Sequence, residues 1–385
     1  SQALYPIELQ ALKVFSIKEN VLFEASLFNI SVVSFLYVVI AKIYFIIKRL
    51  QVMIDKQNNI VITSAVRTAI GSFKGSLKDM HAHELGSVAI KEAIKRSNLN
   101  SSDVDEVIMG QVLTAGGGQN PARQAAINAG LSKSVPAYLV NQVCGSGLRS
   151  VISGFQILKL NEAKYIVCGG QENMSLAPHA LLYRNEKILL KSRLTDTMIF
   201  DGLMDVFNNY HMGVTAENVA EKYKILRQEQ DKFALNSQAK AQISLEQKKF
   251  DEEIVKVSLP GVKFDKDEHP RKNLKIEDLK KLKTVFKEGG TVTPGNASGI
   301  NDGAAAIALT TLEEAKKKSL KAIVKIKSWS SVGVEPSLMG LGPIDAVRVA
   351  LEKANWKIND VDLFEINEAF AAQTLAVIKE LNINE

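Results

Sequence analysis

Residues 141–147 read NQVCGSG, and LRSVISGFQILKL follows at once. The second run places apolar side chains at Leu148, Val151, Ile152, Phe155 and Leu158, the spacing of a helix with one buried face. Cys144 therefore stands just ahead of a predicted helix N-terminus. Unpaired N–H groups and the positive end of the helix dipole favour a thiolate there. Gly145 and Gly147 let the main chain turn tightly and approach a ligand. The alternative, a buried cysteine acting as a small hydrophobe, has no need of a permissive turn around it.

Outward from this point, short β-branched runs alternate with helical patterns. IVITSA (60–65), DEVIMGQV (105–112), AKYIVCGG (163–170) and VDLFEIN (361–367) read as strands. Residues 85–98 and 343–355 read as helices, and the alternation predicts an α/β fold with layered sheet and helices. Residues 89–110 align without a gap on residues 346–367, at a constant offset of 257. Ala93 falls on Ala350, Asn98 on Asn355, and Asp103-Val104-Asp105 on Asp360-Val361-Asp362. An internal duplication predicts this pattern, although two similar helix–strand units in any α/β chain would also give it. On the same offset Glu385 corresponds to Asn128, so the second half is expected to be truncated, without its own counterpart of Cys144. Between the halves, residues 172–295 carry long charged patterns that predict an inserted, mostly helical subdomain with solvated faces.

Of the 385 residues, 46% are apolar and 23% charged, as in an ordinary globular protein, and the net charge of +6 suits anionic ligands. No arginine-rich arm or interleaved aromatics point to nucleic acid. Two cysteines (Cys144 and Cys168) make no disulfide framework or zinc spacing, and five histidines form no metal signature. Residues 30–47 are nearly continuous in apolar side chains but are broken by Lys42. That is marginal for a membrane span and poor as a signal peptide. Residues 1–57 are therefore expected to be an appendage, with membrane contact only if residues 30–47 are a real span.

The blocks together resemble the thiolases, which make or cleave 3-oxoacyl-CoA thioesters. NQVCGSGLRSV is similar to their nucleophile segment. GGGQNPARQAA (116–126), GGQENMS (169–175), YHMGVTAENVA (210–220), GTVTPGNASGINDGAAA (290–306), MGLGP (339–343) and INEAFAAQ (366–373) resemble further thiolase blocks in thiolase order. The resemblance covers residues 58–385, and YHMG with the long insert is most similar to the acetoacetyl-CoA class. It implies two duplicated βαβαβαββ halves in a layered α-β-α-β-α arrangement. The first half would be residues 58–173 with 296–321, the inserted loop domain residues 174–295, and the incomplete second half residues 322–385.

The resemblance also implies the chemistry. Cys144 would carry the acyl group, and Asn367 would position a water in an oxyanion hole; by itself Asn367 reads equally well as a turn or helix cap. Leu203, His211 and Met212 would line the pantetheine and thioester end, and Ser298 and Gly299 the pantetheine amides. Arg271 and Phe286 would meet the adenosine and phosphate end, and Met339 and Phe370 would restrict the acyl pocket. Acetyl-CoA, acetoacetyl-CoA and CoA would be substrates, with no cofactor or metal, in a cytoplasmic homodimer or homotetramer. Cys168 reads as a core thiol, and Asn120-Pro121 as an N-cap followed by proline at the first helical position.

Two thiolase motifs do not occur in the 385 residues: Gly-His-Pro, whose histidine activates the nucleophile, and a late Cys-Xaa-Gly-Gly-Gly, whose cysteine is the acid/base. An inactive CoA-binding or scaffold chain is therefore an alternative reading. A ketosynthase-type condensing enzyme is another, against which the insert and the NEAF and NASG blocks speak. If residues 1–52 are an appendage, a chain starting at Met53 and extended through both motifs keeps the solubility and turnover of its longer form. Loss of either would place the segment in the working protein.

Overall fold

The computed structural model describes residues 42–44, 59–181 and 194–384. Residues 1–58 form one unit and residues 59–385 another; most of the apolar run 30–47 lies outside the described residues. Among those residues no helix is long and apolar enough to cross a membrane.

Short, nearly continuous apolar runs build one mixed sheet. Its main strands are β1 (Ile60–Thr68), β2 (Glu106–Gly110), β3 (Ala137–Val140), β4 (Tyr165–Asn173) and β5 (Asn301–Thr311). They lie side by side in the order β1-β5-β4-β2-β3. β5 is antiparallel to both neighbours, whereas β4, β2 and β3 are mutually parallel. Val107, Met109, Val167, Ala306 and Ala308 point to one face. There they meet Leu85, Ala89, Ile90 and Ala93 of α1 (Ala82–Arg96) and Ala122, Ala125 and Ala126 of α2 (Pro121–Asn128). Their sequence neighbours Ile108, Ile166, Cys168 and Leu309 point to the other face, onto Leu158, Val151 and Phe155 of α3 (Ser146–Lys159). The period of two in the strands thus sorts side chains between two helical layers. Cys168 is fully buried in the second layer, as expected of a core thiol. Asn120 caps α2 by accepting the Arg123 N–H at 3.1 Å, with Pro121 at the first helical position.

The expected charged helices form as α4 (Met212–Tyr223) and α5 (Arg227–Glu246), parted at Lys224, whose φ is +54°. The basic stretch beyond them is not mainly helical. Val257–Leu259 pairs with Val262–Phe264 in a hairpin, and only Ile276–Lys280 is a helix. α6 (Gly342–Ala354) fulfils the second half of the repeat, and α7 (Ala371–Leu381) follows. Val219 and Ile225 from the insert, Leu341, Ile344, Ala376, Val377 and Leu381 join in one apolar cluster.

Residues 361–367 do not form the strand their match to 104–110 predicts. The first copy lies between β3 and β4 and satisfies its backbone on both sides. Among the described residues the second copy has no neighbouring strand, and an unpaired strand leaves its N–H and C=O groups without partners. Leu363, in the middle of the run, is 80% exposed.

Where α3 begins it presses on the ends of β2 and β4. A Cβ on Gly110 would run into the backbone of Ser146 and Gly147, whereas one on Gly170 would stand 3.5 Å from Gly147 Cα, an ordinary contact. The Ser150 hydroxyl donates to Gly147 O at 2.7 Å, lies 2.8 Å from Gly169 O, and accepts the Gly169 N–H at 3.1 Å. Gly110→Ala is expected to cost about 1–3 kcal/mol, the usual range for overpacking, and Gly170→Ala much less. Urea unfolding of the two variants checks the difference; equal losses would show that the contact at Gly110 is not the tight one.

Candidate active site

β3 ends at Val140, and residues 141–145 carry the chain from its C-terminal end into α3. In a parallel α/β arrangement this is where ligands meet the sheet. The turn is made by Val143, whose φ is +49°. A β-branched residue in that region is strained, and local hydrogen bonds hold it. Asn141 Oδ1 accepts the Val143 N–H at 2.9 Å. Ser146 Oγ accepts the Gln142 N–H at 2.8 Å and donates to Val143 O at 2.6 Å. Gly145 and Gly147, expected to supply the turn, both lie outside the left-handed region. Gly145 sits in a tight place, since a Cβ there would come within 3.3 Å of Gln142 O. Cys144 follows the strained residue and is exposed.

The thiol is not acidified as the sequence predicts. Desolvation by the surrounding protein pushes it up, a backbone N–H opposes this, and the Glu172 carboxylate pushes it further up. Glu172 lies at the end of β4 and accepts the Val112 N–H at 2.8 Å and the Leu113 N–H at 3.2 Å. Its own carboxyl is raised by burial, which outweighs those two bonds.

A second group of predicted residues gathers around the start of α4. His211 caps the helix, its Nδ1 accepting the Gly213 N–H at 3.0 Å, which leaves the ring proton on Nε2. Met212 N donates to Leu203 O at 2.8 Å, bringing these two backbones together. The Phe286 ring stacks on His211 at 4.6 Å between centroids and meets Phe370 edge-on at 6.3 Å. Only glycine fits at 213, because a Cβ would collide with the Phe286 ring. Met339 packs into the same cluster as Phe286 and Phe370. Burial lowers the His211 pKa, keeping the ring neutral.

The loop bearing Ser298 and Gly299 is fixed from two sides. Glu217, buried in α4, accepts the N–H groups of Thr291 and Val292, each at 2.8 Å, and the Thr291 hydroxyl. Asp231, buried in α5, accepts Asn296 Nδ2 at 3.0 Å. Ser298 N then donates to Ala369 O, and Ala371 N to Asn296 O, both at 2.9 Å, so the two predicted segments run as a short ladder around Ala297 and Phe370. Ser298 and Gly299 open on a cavity of about 330 Å³ with His269, Ser237 and Glu368. Cys144, His211 and Phe286 do not line it.

The remaining predicted residues stand apart. Arg271 is exposed, its N–H donating to Gln238 Oε1 at 2.8 Å, away from Phe286. Asn367 is exposed and does not cap α7, whose cap is Phe370. Among the described residues no hydrogen bond joins Asn367 to Cys144. Gln142 Nε2 reaches Ser331 Oγ at 3.0 Å, and Asn218 Nδ2 reaches Ser337 O at 3.0 Å, tying both the turn and α4 to the segment that carries Met339. Val143, Glu172, Glu217 and Asn218 escaped sequence reasoning. Glu172 had a signal, since Ile166, Cys168 and Gly170 set a period that reaches it.

Residues 60–313 match the thiolase N-terminal domain family, and residues 320–385 the thiolase C-terminal domain family. The chain is 51% identical over 329 residues to the acetyl-CoA acetyltransferase of Pseudomonas aeruginosa, covering 84% of each. It is 49% identical over 333 residues to the cytosolic acetyl-CoA acetyltransferase of Mus musculus, covering 84% of this chain and 83% of that one. It superposes on the crystal structure of the Bacillus anthracis acetyl-CoA acetyltransferase with a TM-score of 0.82 and 42% identity, covering 85% of this chain and 84% of that one.

Because His211 is kept neutral by burial, its titration midpoint by NMR is expected below the ordinary 6.5. Phe286→Ala, which uncovers one ring face, moves the midpoint back up. The folded pKa is the lower one, so the unfolded chain binds the proton more readily and stability is lost as pH falls below about 6.5. A wild-type midpoint at or above 6.5 would contradict burial as the cause.

Proposed function

The chain belongs to the thiolase family, and from that premise we propose that it is an acetyl-CoA acetyltransferase acting through an acetyl-Cys144 intermediate. The observation that carries this reading is the placement of Cys144, exposed on a strained turn between the C-terminal end of a parallel strand and the start of α3. Cys144 Sγ attacks the thioester carbonyl, the bond from that carbon to the CoA sulfur breaks, and the thiol proton leaves on CoA. In the second half-reaction a proton leaves the α-carbon of another acetyl-CoA, that carbon bonds to the acetyl carbonyl carbon, and the bond to Cys144 Sγ breaks with the proton returning to the sulfur, giving acetoacetyl-CoA and the free thiol; thiolysis is the reverse.

In this reading Leu203, His211 and Met212 face the thioester end of CoA, with His211 Nε2–H as a fixed donor. Ser298 and Gly299 meet the pantetheine amides and Arg271 the adenosine and phosphate end, whereas Phe286, expected there with it, packs instead against His211 and Phe370 and belongs with the thioester end. Met339 and Phe370 close the acyl pocket to long chains, and Asn367 holds the water that steadies the thioester oxygen. The halves and insert keep the boundaries given above, in a cytoplasmic homodimer or homotetramer. His211 is no candidate base for Cys144, since protonating Nδ1 would break the cap of α4. The Gly-His-Pro histidine and Cys-Xaa-Gly-Gly-Gly cysteine of the family would perform the proton transfers, and neither motif occurs in the 385 residues.

Incubation with labelled acetyl-CoA and peptide mass mapping is expected to put the label on Cys144. Cys144→Ser should lose it and Cys168→Ser should keep it; label on Cys168 would overturn the reading. Thiolysis of acetoacetyl-CoA by this polypeptide should run about 10²- to 10⁴-fold below a form carrying both motifs. Equal rates would mean that those motifs are not the acid/base groups.

A further inference from the structure

Glu172 is the one titratable group beside the nucleophile that the proposed reaction leaves without a role. Along β4, Ile166 and Cys168 face α3, Gly170 lies against Gly147 at the start of that helix, and Glu172 is the next residue on the same face. It lies two residues beyond the last pairing of β4 with β2, and Gln111 N, in the segment leaving β2, donates to Val140 O at the end of β3, where the turn bearing Cys144 begins. Its carboxylate oxygens are held by the N–H groups of Val112 and Leu113, in the segment leaving β2. Gln111 Nε2 donates to Leu113 O at 2.9 Å, and Gln171 Nε2 to Gln111 Oε1 at 2.9 Å, so the whole segment is pinned to the end of β4.

We propose that Glu172 is a positioning residue for acyl transfer: it fixes the segment after β2 and sets a negative charge behind the turn that bears Cys144. This rests on Cys144 being the nucleophile. The consequence follows from charge balance. A thiolate beside Glu172 puts two negative charges close together, whereas the thiol and the acetyl thioester are both neutral. Attack therefore needs the S–H proton removed as the Sγ–C bond forms, with the proton ending on the departing CoA sulfur. The same charge shields the resting cysteine from stray electrophiles.

The surroundings leave Glu172 as the charge that acts on Cys144 among the described residues. From α3, Arg149 acts instead on the Tyr138 hydroxyl. The segment after β2 presents backbone N–H groups, the residue opposite on β5 is Gly303, and the neighbouring segment offers the hydroxyl of Ser331 to Gln142. Among the described residues, the Glu172 carboxyl responds to burial and to the two N–H groups.

The test is the pH profile of Cys144 alkylation by iodoacetamide, with the modified peptide identified by mass. It needs no CoA substrate, so it is independent of whether acetyl transfer occurs. In Glu172→Gln, which keeps an acceptor for the N–H groups but loses the charge, the profile should move to lower pH. The rate at neutral pH should rise roughly three- to tenfold. Glu172→Asp keeps the charge but shortens the reach, and its profile should stay near that of the wild type even where melting temperature falls. If Glu172→Gln does not fold, the wild-type profile is read alone, and its midpoint should lie above the ordinary thiol value of about 8.5. A Glu172→Gln profile that is unmoved, or displaced to higher pH, would overturn the proposal and leave Glu172 a purely structural tie. So would a wild-type midpoint at or below that of an ordinary thiol.

Discussion

A helix can lie this close to a sheet only where the sheet has no side chains. The first turn of α3 rests on Gly110 at the end of β2, with Gly170 of β4 beside Gly147. Ser150 fills the space where a larger residue would hold the layers apart, and its hydroxyl is satisfied by Gly147 and Gly169. Between the end of β3 and this helix, Val143 takes the left-handed conformation. Strain of this kind costs on the order of 1–3 kcal/mol, which the bonds from Asn141 and Ser146 offset locally.

The same economy places the pocket beyond the sheet. Two buried carboxylates, Glu217 and Asp231, take the N–H groups of the loop that carries Ser298. A buried charge is stable only when fully hydrogen-bonded, so each carboxylate selects one loop conformation and excludes its neighbours. The neutral His211 ring, capping α4 and stacked on Phe286, fixes the facing wall. Polar groups here act chiefly on backbone, and the contact surface they present is largely apolar.

Much of this was legible in residue order. Short β-branched runs located β2 and β4, helical spacing located α3, α4 and α6, and the NQVCGSG, YHMG and NASG blocks brought most of the site residues into view. Three features were not legible. Residues 361–367 have strand composition, but a strand exists only through its neighbours, and pairing is non-local. The left-handed turn fell on Val143, the residue type least expected there, because tertiary packing outweighed local preference. Charge was the third: the sequence places Cys144 at a helix N-terminus, yet does not reveal that β4 brings Glu172 to the same spot.

That last omission decides the sign of the electrostatics. A helix N-terminus stabilises a nearby anion by about 0.3–1 kcal/mol when exposed, and up to about 2 kcal/mol in favourable geometry. Desolvation opposes this and is the larger influence on Cys144, with the Glu172 carboxylate adding to it. The dipole is therefore outweighed, and the sulfur rests as a thiol. A nucleophile arranged in this way is not reactive by being pre-ionised; it becomes so only when a base takes its proton during attack. Such a base must come from outside the turn, the sheet ends and α4, because His211 there is already committed through Nδ1 to the helix cap. The fold of the described residues supplies position, and leaves proton transfer to a separate group.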